Sequence, residues 1–92
     1  MNTVKMTQFG STLTDRADGK KTSISIMDKY SQPVSLDFAD VVSLGSSFGD
    51  EVILPLAEKQ NQKIIVLNAN NIIKNSIRRI VEDRSIEISF ID

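Results

Sequence analysis

Few side chains in this 92-residue sequence could act in catalysis or bind a metal, because the sequence contains neither histidine nor cysteine. The absence of these residue types excludes a thiolate nucleophile, a disulfide and a zinc site of the usual kind. Acid–base catalysis would have to use carboxylates, lysines or the single tyrosine, Tyr30. The four glycines do not have the spacing of a dinucleotide-binding or P-loop motif. We therefore expect neither an enzyme nor a cofactor.

Four carboxylates in the middle of the chain could attract a divalent cation, since hard cations prefer oxygen ligands. These are Asp37, Asp40, Asp50 and Glu51. Each also has a local structural use. Asp37 ends a predicted strand and Asp40 suits a turn, whereas acidic residues such as Asp50 and Glu51 favour the first turn of a helix. We therefore expect no metal site.

Two adjacent serines, Ser46 and Ser47, stand where a helical pattern begins. A serine in this position can cap the helix by accepting a hydrogen bond from a backbone N–H of the first turn. The same position suits a phosphate, because free backbone donors and the helix dipole favour negative charge there. Cap and phosphorylation site are both open interpretations, and the cap is preferred.

The charge of the chain argues against two classes of partner. The net charge of −1 and the pI of about 5.3 give no general attraction to nucleic acid or to an anionic membrane. Residues 34–60 carry five carboxylates against Lys59 alone, so a partner contacting this segment should be neutral or basic there. No apolar run approaches membrane-spanning length and no signal-peptide core is visible, so we expect a cytoplasmic protein.

Hydrophobic periodicity indicates the elements that position these residues. Residues 63–67, Lys-Ile-Ile-Val-Leu, have the pattern of a strand buried on both faces. The strands are predicted at residues 3–9 (a short edge strand), 34–38, 63–67 and 86–90. The helices are predicted at residues 16–29, 46–60 and 71–83.

Two of the predicted helices contain a residue that disfavours helix. Gly19 is the expected weak point of the first, whose residues also fit a strand. Pro55 lies inside the second and cannot donate to the carbonyl of Glu51, so we expect a kink there. The alternation of strands and helices predicts one α/β domain with a mainly parallel or mixed sheet of about four strands and helices packed on it.

Residues 34–51, Val-Ser-Leu-Asp-Phe through Gly-Ser-Ser-Phe-Gly-Asp-Glu, resemble the STAS domain of anti-anti-sigma factors and sulfate transporters. The likeness is closer to a bacterial STAS-like family of unknown function. Its members have an Arg near the start of the first helix (Arg16 here), a Leu-Asp-Phe strand, and Ser-Ser-Phe followed by Asp-Glu. The resemblance covers roughly residues 9–83. It implies a STAS-like βαβ topology and a single STAS-like domain over residues 1–92.

The resemblance also implies a function. In STAS regulators this turn reads Asp-Ser-Ser-Gly, and a histidine-kinase-like ATPase phosphorylates the first serine, which switches binding to that kinase. By position that serine is Ser46, although Gly45 replaces the acidic residue and Phe48 replaces the glycine. We therefore expect a non-catalytic, regulatory protein-interaction module. Its expected partner-binding residues are Gly45, Ser46, Ser47, Phe48 and Asp50.

A different class of function is the alternative. Open α/β sheets bind ligands in the crevice at the carboxyl ends of their strands. In this sequence that crevice would lie near residues 38–47. The alternative is therefore a small-molecule or nucleotide sensor with its pocket at that end of the sheet.

Overall fold

The computed structural model describes residues 2–92, in which strands and helices alternate. The α-helices are α1 (Arg16–Lys29), α2 (Ser46–Lys59) and α3 (Asn71–Val81). The strands are β1 (Asn2–Lys5), β2 (Thr12–Leu13), β3 (Val34–Asp37), β4 (Ser43–Leu44), β5 (Lys63–Leu67) and β6 (Glu87–Ile91). Within this part of the chain, no helix is both long and apolar enough to cross a membrane.

Four strands form one parallel sheet in the order β1-β3-β5-β6. Each successive strand is added on the same side of the one before. Because crossovers between parallel strands are right-handed, this order places α1, α2 and α3 on one face of the sheet. The short strands β2 and β4 form a separate parallel pair. The predicted α/β fold with a mainly parallel four-stranded sheet is thus confirmed.

The first strand is an edge strand, as expected, but it is shorter than the sequence pattern indicates. It ends at Lys5, and Met6–Phe9 form a 3₁₀ helix. Met6 is fully buried, as is Val4 within the strand. The alternating pattern therefore continues past the point where strand pairing with β3 ends.

The hydrophobic core lies between the sheet and the helices. The strand residues that face it are buried, namely Val4, Val34, Leu36, Ile64 and Val66. The helices supply a second buried layer that includes Ile26, Phe48, Val52, Leu56, Ile73 and Ile77. Ile88 and Phe90 of the edge strand β6 are partly buried against the same core. The apolar periodicity of the sequence therefore identifies the core face of α2 and α3, whereas in α1 the apolar Ile24 is 69% exposed.

The prediction that β5 is buried on both faces is wrong. The strand lies inside the sheet, and Ile64 and Val66 are buried, but Ile65 and Leu67 are only partly buried. The neighbouring side chains on their face include exposed Ser89 and Ile91 of β6. Since all the crossovers run the same way across the sheet, none of the described helices covers that face.

Gly19 has a packing role that the sequence does not show. The segment around it forms a continuous helix, α1, whose N-cap Asp15 accepts a hydrogen bond from the backbone N–H of Asp18 at 2.9 Å. A Cβ on Gly19 would lie 2.8 Å from the carbonyl oxygen of Phe48 and 3.0 Å from its Cα. Gly19 therefore allows the backbones of α1 and α2 to approach each other closely.

Candidate functional site

Gly45, the residue immediately before α2, fixes the position at which this helix starts. The Gly45 N–H donates to the carbonyl of Leu13 at 2.8 Å, which ties this residue to β2. A Cβ at Gly45 would meet Cα and Cγ2 of Thr14 at 3.3 Å, closer than ordinary van der Waals contact. Gly45 thus fits against the segment that leads from β2 into α1, and this contact fixes where α2 begins.

Neither serine is the helix cap, so that interpretation of Ser46 and Ser47 is wrong. The N-cap is Gly45, which has extended backbone angles and whose carbonyl accepts from the N–H of Gly49 at 2.9 Å. No side chain among residues 2–92 caps α2. Ser46 is exposed and Ser47 is partly buried, and the Ser46 hydroxyl has no hydrogen-bond partner among residues 2–92.

A cleft of about 240 Å³ opens beside Ser46. Its lining comes from the β4–α2 junction and from α3, and includes Ser46, Ser76 and Arg79. Arg79 is exposed and forms no ion pair within the described part of the chain. The cleft therefore combines the Ser46 hydroxyl, a guanidinium and the N–H groups of the first turn of α2, whereas the Ser76 hydroxyl already donates to the carbonyl of Ile72 at 3.1 Å. These groups together favour an anion or a hydrogen-bond acceptor.

Asp50 and Glu51 lie beyond the first turn of α2, so the prediction that they occupy it is wrong. With the helix starting at Ser46, both side chains reach the first residue of α1, Arg16. Its Nη1 lies 2.8 Å from Glu51 Oε2, and its Nη2 lies 3.9 Å from Asp50 Oδ2. The Arg16 side chain is 50% exposed, so these pairs contribute at most about 1 kcal/mol.

Phe48 does not share the surface of its neighbours. Its side chain is 1% exposed and belongs to the core beneath α2. The four other expected partner-binding residues keep some exposure around the start of the helix. We refer to Gly45, Ser46, Ser47 and Asp50 as the α2 entry surface.

The carboxyl ends of the strands hold a second, smaller depression. Its volume is about 150 Å³, below the roughly 300–1,000 Å³ of typical ligand pockets, and it is lined in part by Asp37 and Asp40. Asp37 Oδ1 already accepts hydrogen bonds from the Ala39 N–H at 2.9 Å and from Asn68 Nδ2 at 3.1 Å. Asp40 has a positive φ of 66°, in keeping with a turn.

The acidic residues of the middle segment are consequently divided between two places. Asp37 and Asp40 line the depression at the strand ends, whereas Asp50 and Glu51 face Arg16 on the helical side. Over residues 2–92, no three acidic, histidine or cysteine side chains are grouped so that they could hold a metal ion.

The sequence indicates Ser46 but not Arg79 as a residue of this site. The serine stands out because the Gly-Ser-Ser segment precedes a helical pattern. Arg79 lies far along the chain, in the last turn of α3, and its sequence neighbours give no sign that it lines the same cleft. The two line one cleft because α3 packs closely on α2, where Ile80 contacts the Cα side of Gly49. Only the basic pair Arg78-Arg79 marks this part of the sequence.

Comparisons with known proteins identify one relationship. Residues 20–74, more than half of the chain, match a family model described as a STAS-like domain of unknown function (DUF4325). The matched segment contains the whole α2 entry surface but ends before Arg79. Neither the comparison with curated proteins nor the one with solved structures gives a match.

Proposed function

The chain belongs to the family of STAS-like domains of unknown function, and we propose that it is a non-catalytic, regulatory protein-interaction module. The partner binds at the α2 entry surface. The observation that carries this proposal is the Ser46 hydroxyl, which is exposed and unbonded at the start of a helix with no side-chain cap. The family match supports the domain type, and the function is inferred from the surface.

The α2 entry surface suits docking because its residues are small and its backbone is already fixed. Small side chains at Gly45, Ser46 and Ser47 leave the first N–H groups of α2 accessible to acceptors on a partner. The hydrogen bond from the Gly45 N–H to the carbonyl of Leu13 fixes the start of the surface. A pre-ordered surface loses little conformational freedom on binding, which favours affinity.

Phosphorylation of Ser46 would switch this surface. A phosphate there adds nearly two negative charges beside the N-terminus of α2, which the helix dipole favours. Arg79 lines the same cleft and supplies a cation for the phosphate oxygens. Asp50, one turn along the helix, opposes the added charge, but Arg16 lies 3.9 Å from its carboxylate. We propose a histidine-kinase-like ATPase as the partner, in keeping with the STAS likeness.

Affinity measurements on variants test the proposal. The tagged chain is used to capture its partner from the native cell, and the affinity of that partner is measured for wild type, Ser46→Asp and Ser47→Arg. We expect both variants to weaken the complex by at least about tenfold, through added charge and through bulk respectively. The matched control is Ser31→Asp, which adds the same charge at an exposed serine preceding β3, at the opposite end of the sheet.

One result tests the docking surface and a second tests the phosphorylation switch. Equal affinity of the partner for wild type, Ser46→Asp and Ser47→Arg would mean that the interface does not lie at the start of α2. For the switch, mass spectrometry of the protein from its native cell should find phosphate on Ser46. A phosphate found only on other serines would contradict the proposed switch at Ser46. The docking surface would then be tested by the affinity measurements alone.

A further inference from the structure

A groove of about 480 Å³ runs between the outer side of α2 and the loop that joins α3 to β6. Its floor is apolar and includes Leu54, Pro55 and Ile86, all partly buried. Leu54 and Ile86 pack against the hydrophobic core. We refer to this feature as the α2 groove. It is distinct from the cleft beside Ser46, with which it shares no lining residue.

The walls of the α2 groove are predominantly acidic. Asp50, Glu51 and Glu58 line it from α2, and Arg84 is the one cation among its lining residues. Arg16 compensates Asp50 and Glu51 in part, through its contacts of 3.9 Å and 2.8 Å. Glu58 is exposed and forms no ion pair within residues 2–92. With Arg16 and Arg84 counted against the three carboxylates, the groove has one net negative charge next to an apolar floor.

Pro55 interrupts the hydrogen bonding of α2 where the helix lines this groove. It lies inside α2 and has no N–H, so the carbonyl of Glu51 lacks the donor that it would normally have four residues later. Both residues line the groove. The ring of a helical proline crowds that carbonyl, so the missing hydrogen bond marks a break in α2 beside the groove rather than an additional contact for a ligand.

We propose that the α2 groove is a docking site for a basic, amphipathic segment of a partner protein. Lysine or arginine side chains of that segment contact the carboxylates, and an apolar side chain lies on the floor formed by Leu54, Pro55 and Ile86. Charge complementarity favours this occupant, because nucleic acid and anionic lipid are negatively charged and would be repelled by the carboxylates of the groove. The proposal does not depend on phosphorylation of Ser46 or on binding at the cleft beside it.

The test is a titration of the isotope-labelled chain, followed by NMR, with three short synthetic peptides. The peptides share one amphipathic pattern of leucines and carry arginine, glutamine or glutamate at the polar positions. We expect the arginine peptide to shift the backbone amide signals of the groove residues, with an affinity that falls as salt is added. We expect the glutamate peptide to leave those signals in place.

Matched variants separate the groove from the net charge of the molecule. Glu58→Lys should weaken binding of the arginine peptide by at least about tenfold. Asp28→Lys makes the same charge change at an exposed position of α1 that does not line the groove, and it should retain the affinity to within about twofold. Both replaced side chains are exposed, so circular dichroism should report unchanged folding.

Three outcomes would overturn the proposal. They are the absence of any binding of the arginine peptide at millimolar concentration, an equal response to the arginine and glutamate peptides, and an equal loss of affinity in Glu58→Lys and Asp28→Lys. A further variant keeps this result apart from the proposed function. Ser46→Asp should bind the arginine peptide undiminished, even where it weakens the complex with the captured partner.

Discussion

At the scale of single residues, the helices of this protein begin in two different ways. Asp15 and Asn70 each accept a hydrogen bond from a first-turn N–H, at 2.9 Å and 2.8 Å respectively. Gly45 has no side chain to do so, and it begins α2 through contacts with β2 and Thr14 instead. The hydroxyl of Ser46 is therefore left unused by the fold. A hydroxyl that the fold does not need is available for binding or modification.

Alanine substitutions at the two kinds of helix start should differ in their effect on stability. Ser46→Ala removes no hydrogen bond, so we expect its free energy of unfolding to change by less than about 0.5 kcal/mol. Asn70→Ala removes the cap on α3 and should lower that free energy by about 1 kcal/mol. Urea denaturation measures both. A loss in Ser46→Ala as large as that in Asn70→Ala would mean that Ser46 caps α2 after all.

Alanine at Gly19 should destabilise the protein although it favours helix. A Cβ there would lie 2.8 Å from the carbonyl oxygen of Phe48, and backbone atoms cannot rotate away. We expect a net loss of about 1–3 kcal/mol in the free energy of unfolding.

The matched control for Gly19 is Gly49→Ala, which gains the same helix propensity of about 1 kcal/mol. Its new methyl group would meet the far end of the Ile80 side chain, which can adjust. We expect Gly49→Ala to be the more stable variant in thermal unfolding. A Gly19→Ala protein that unfolds at the same or a higher temperature would contradict the close approach of α1 and α2.

At the scale of elements, the sequence predicts what depends on local pattern. Ile73, Ile77 and Ile80 have helical spacing, and all three are buried in α3 as that spacing indicates. The pair of strands β2 and β4 has two residues in each strand, too few for an alternating pattern. The cap of α2 could not be predicted either, because it depends on Leu13, which is remote in sequence.

The sequence of β5 also could not predict that only one face of this strand is buried. The run Ile64-Ile65-Val66-Leu67 is uniformly apolar, so nothing in it distinguishes the helix-covered face from the open one. That distinction comes from the order of strands across the sheet, since it places every crossover helix on the same side. A local pattern cannot contain this information.

Charged substitutions on the two faces of β5 should have unequal effects. Ile64 is 1% exposed and faces the helices, so Ile64→Asp places a carboxylate in the core and should prevent folding. Ile65 is only partly buried on the opposite face. We expect Ile65→Asp to fold with reduced stability. Circular dichroism and urea denaturation measure the difference, and loss of the fold in both variants would contradict an open face.

At the scale of the whole molecule, α2 is the central element of the helical layer. It packs against α1 at Gly19 and against α3 at Ile80. Its N-terminal turn carries most of the α2 entry surface, and its outer side forms one wall of the α2 groove. The sequence predicts the first of these surfaces through the STAS likeness around Ser46. It does not predict the second, because Arg84 and Ile86 reach α2 only through the fold.

The measurement that tests the central claim most directly is site-specific photo-crosslinking in the native cell. A photoreactive side chain is placed at Ser47 of the α2 entry surface or, as the control, at Ser31. We predict that the Ser47 position gives a crosslinked adduct with a histidine-kinase-like ATPase. We predict no such adduct from Ser31, and loss of the Ser47 adduct when Ser46→Asp is added. Equal adducts from Ser47 and Ser31, or an adduct from Ser31 alone, would contradict the claim that the partner binds where α2 begins.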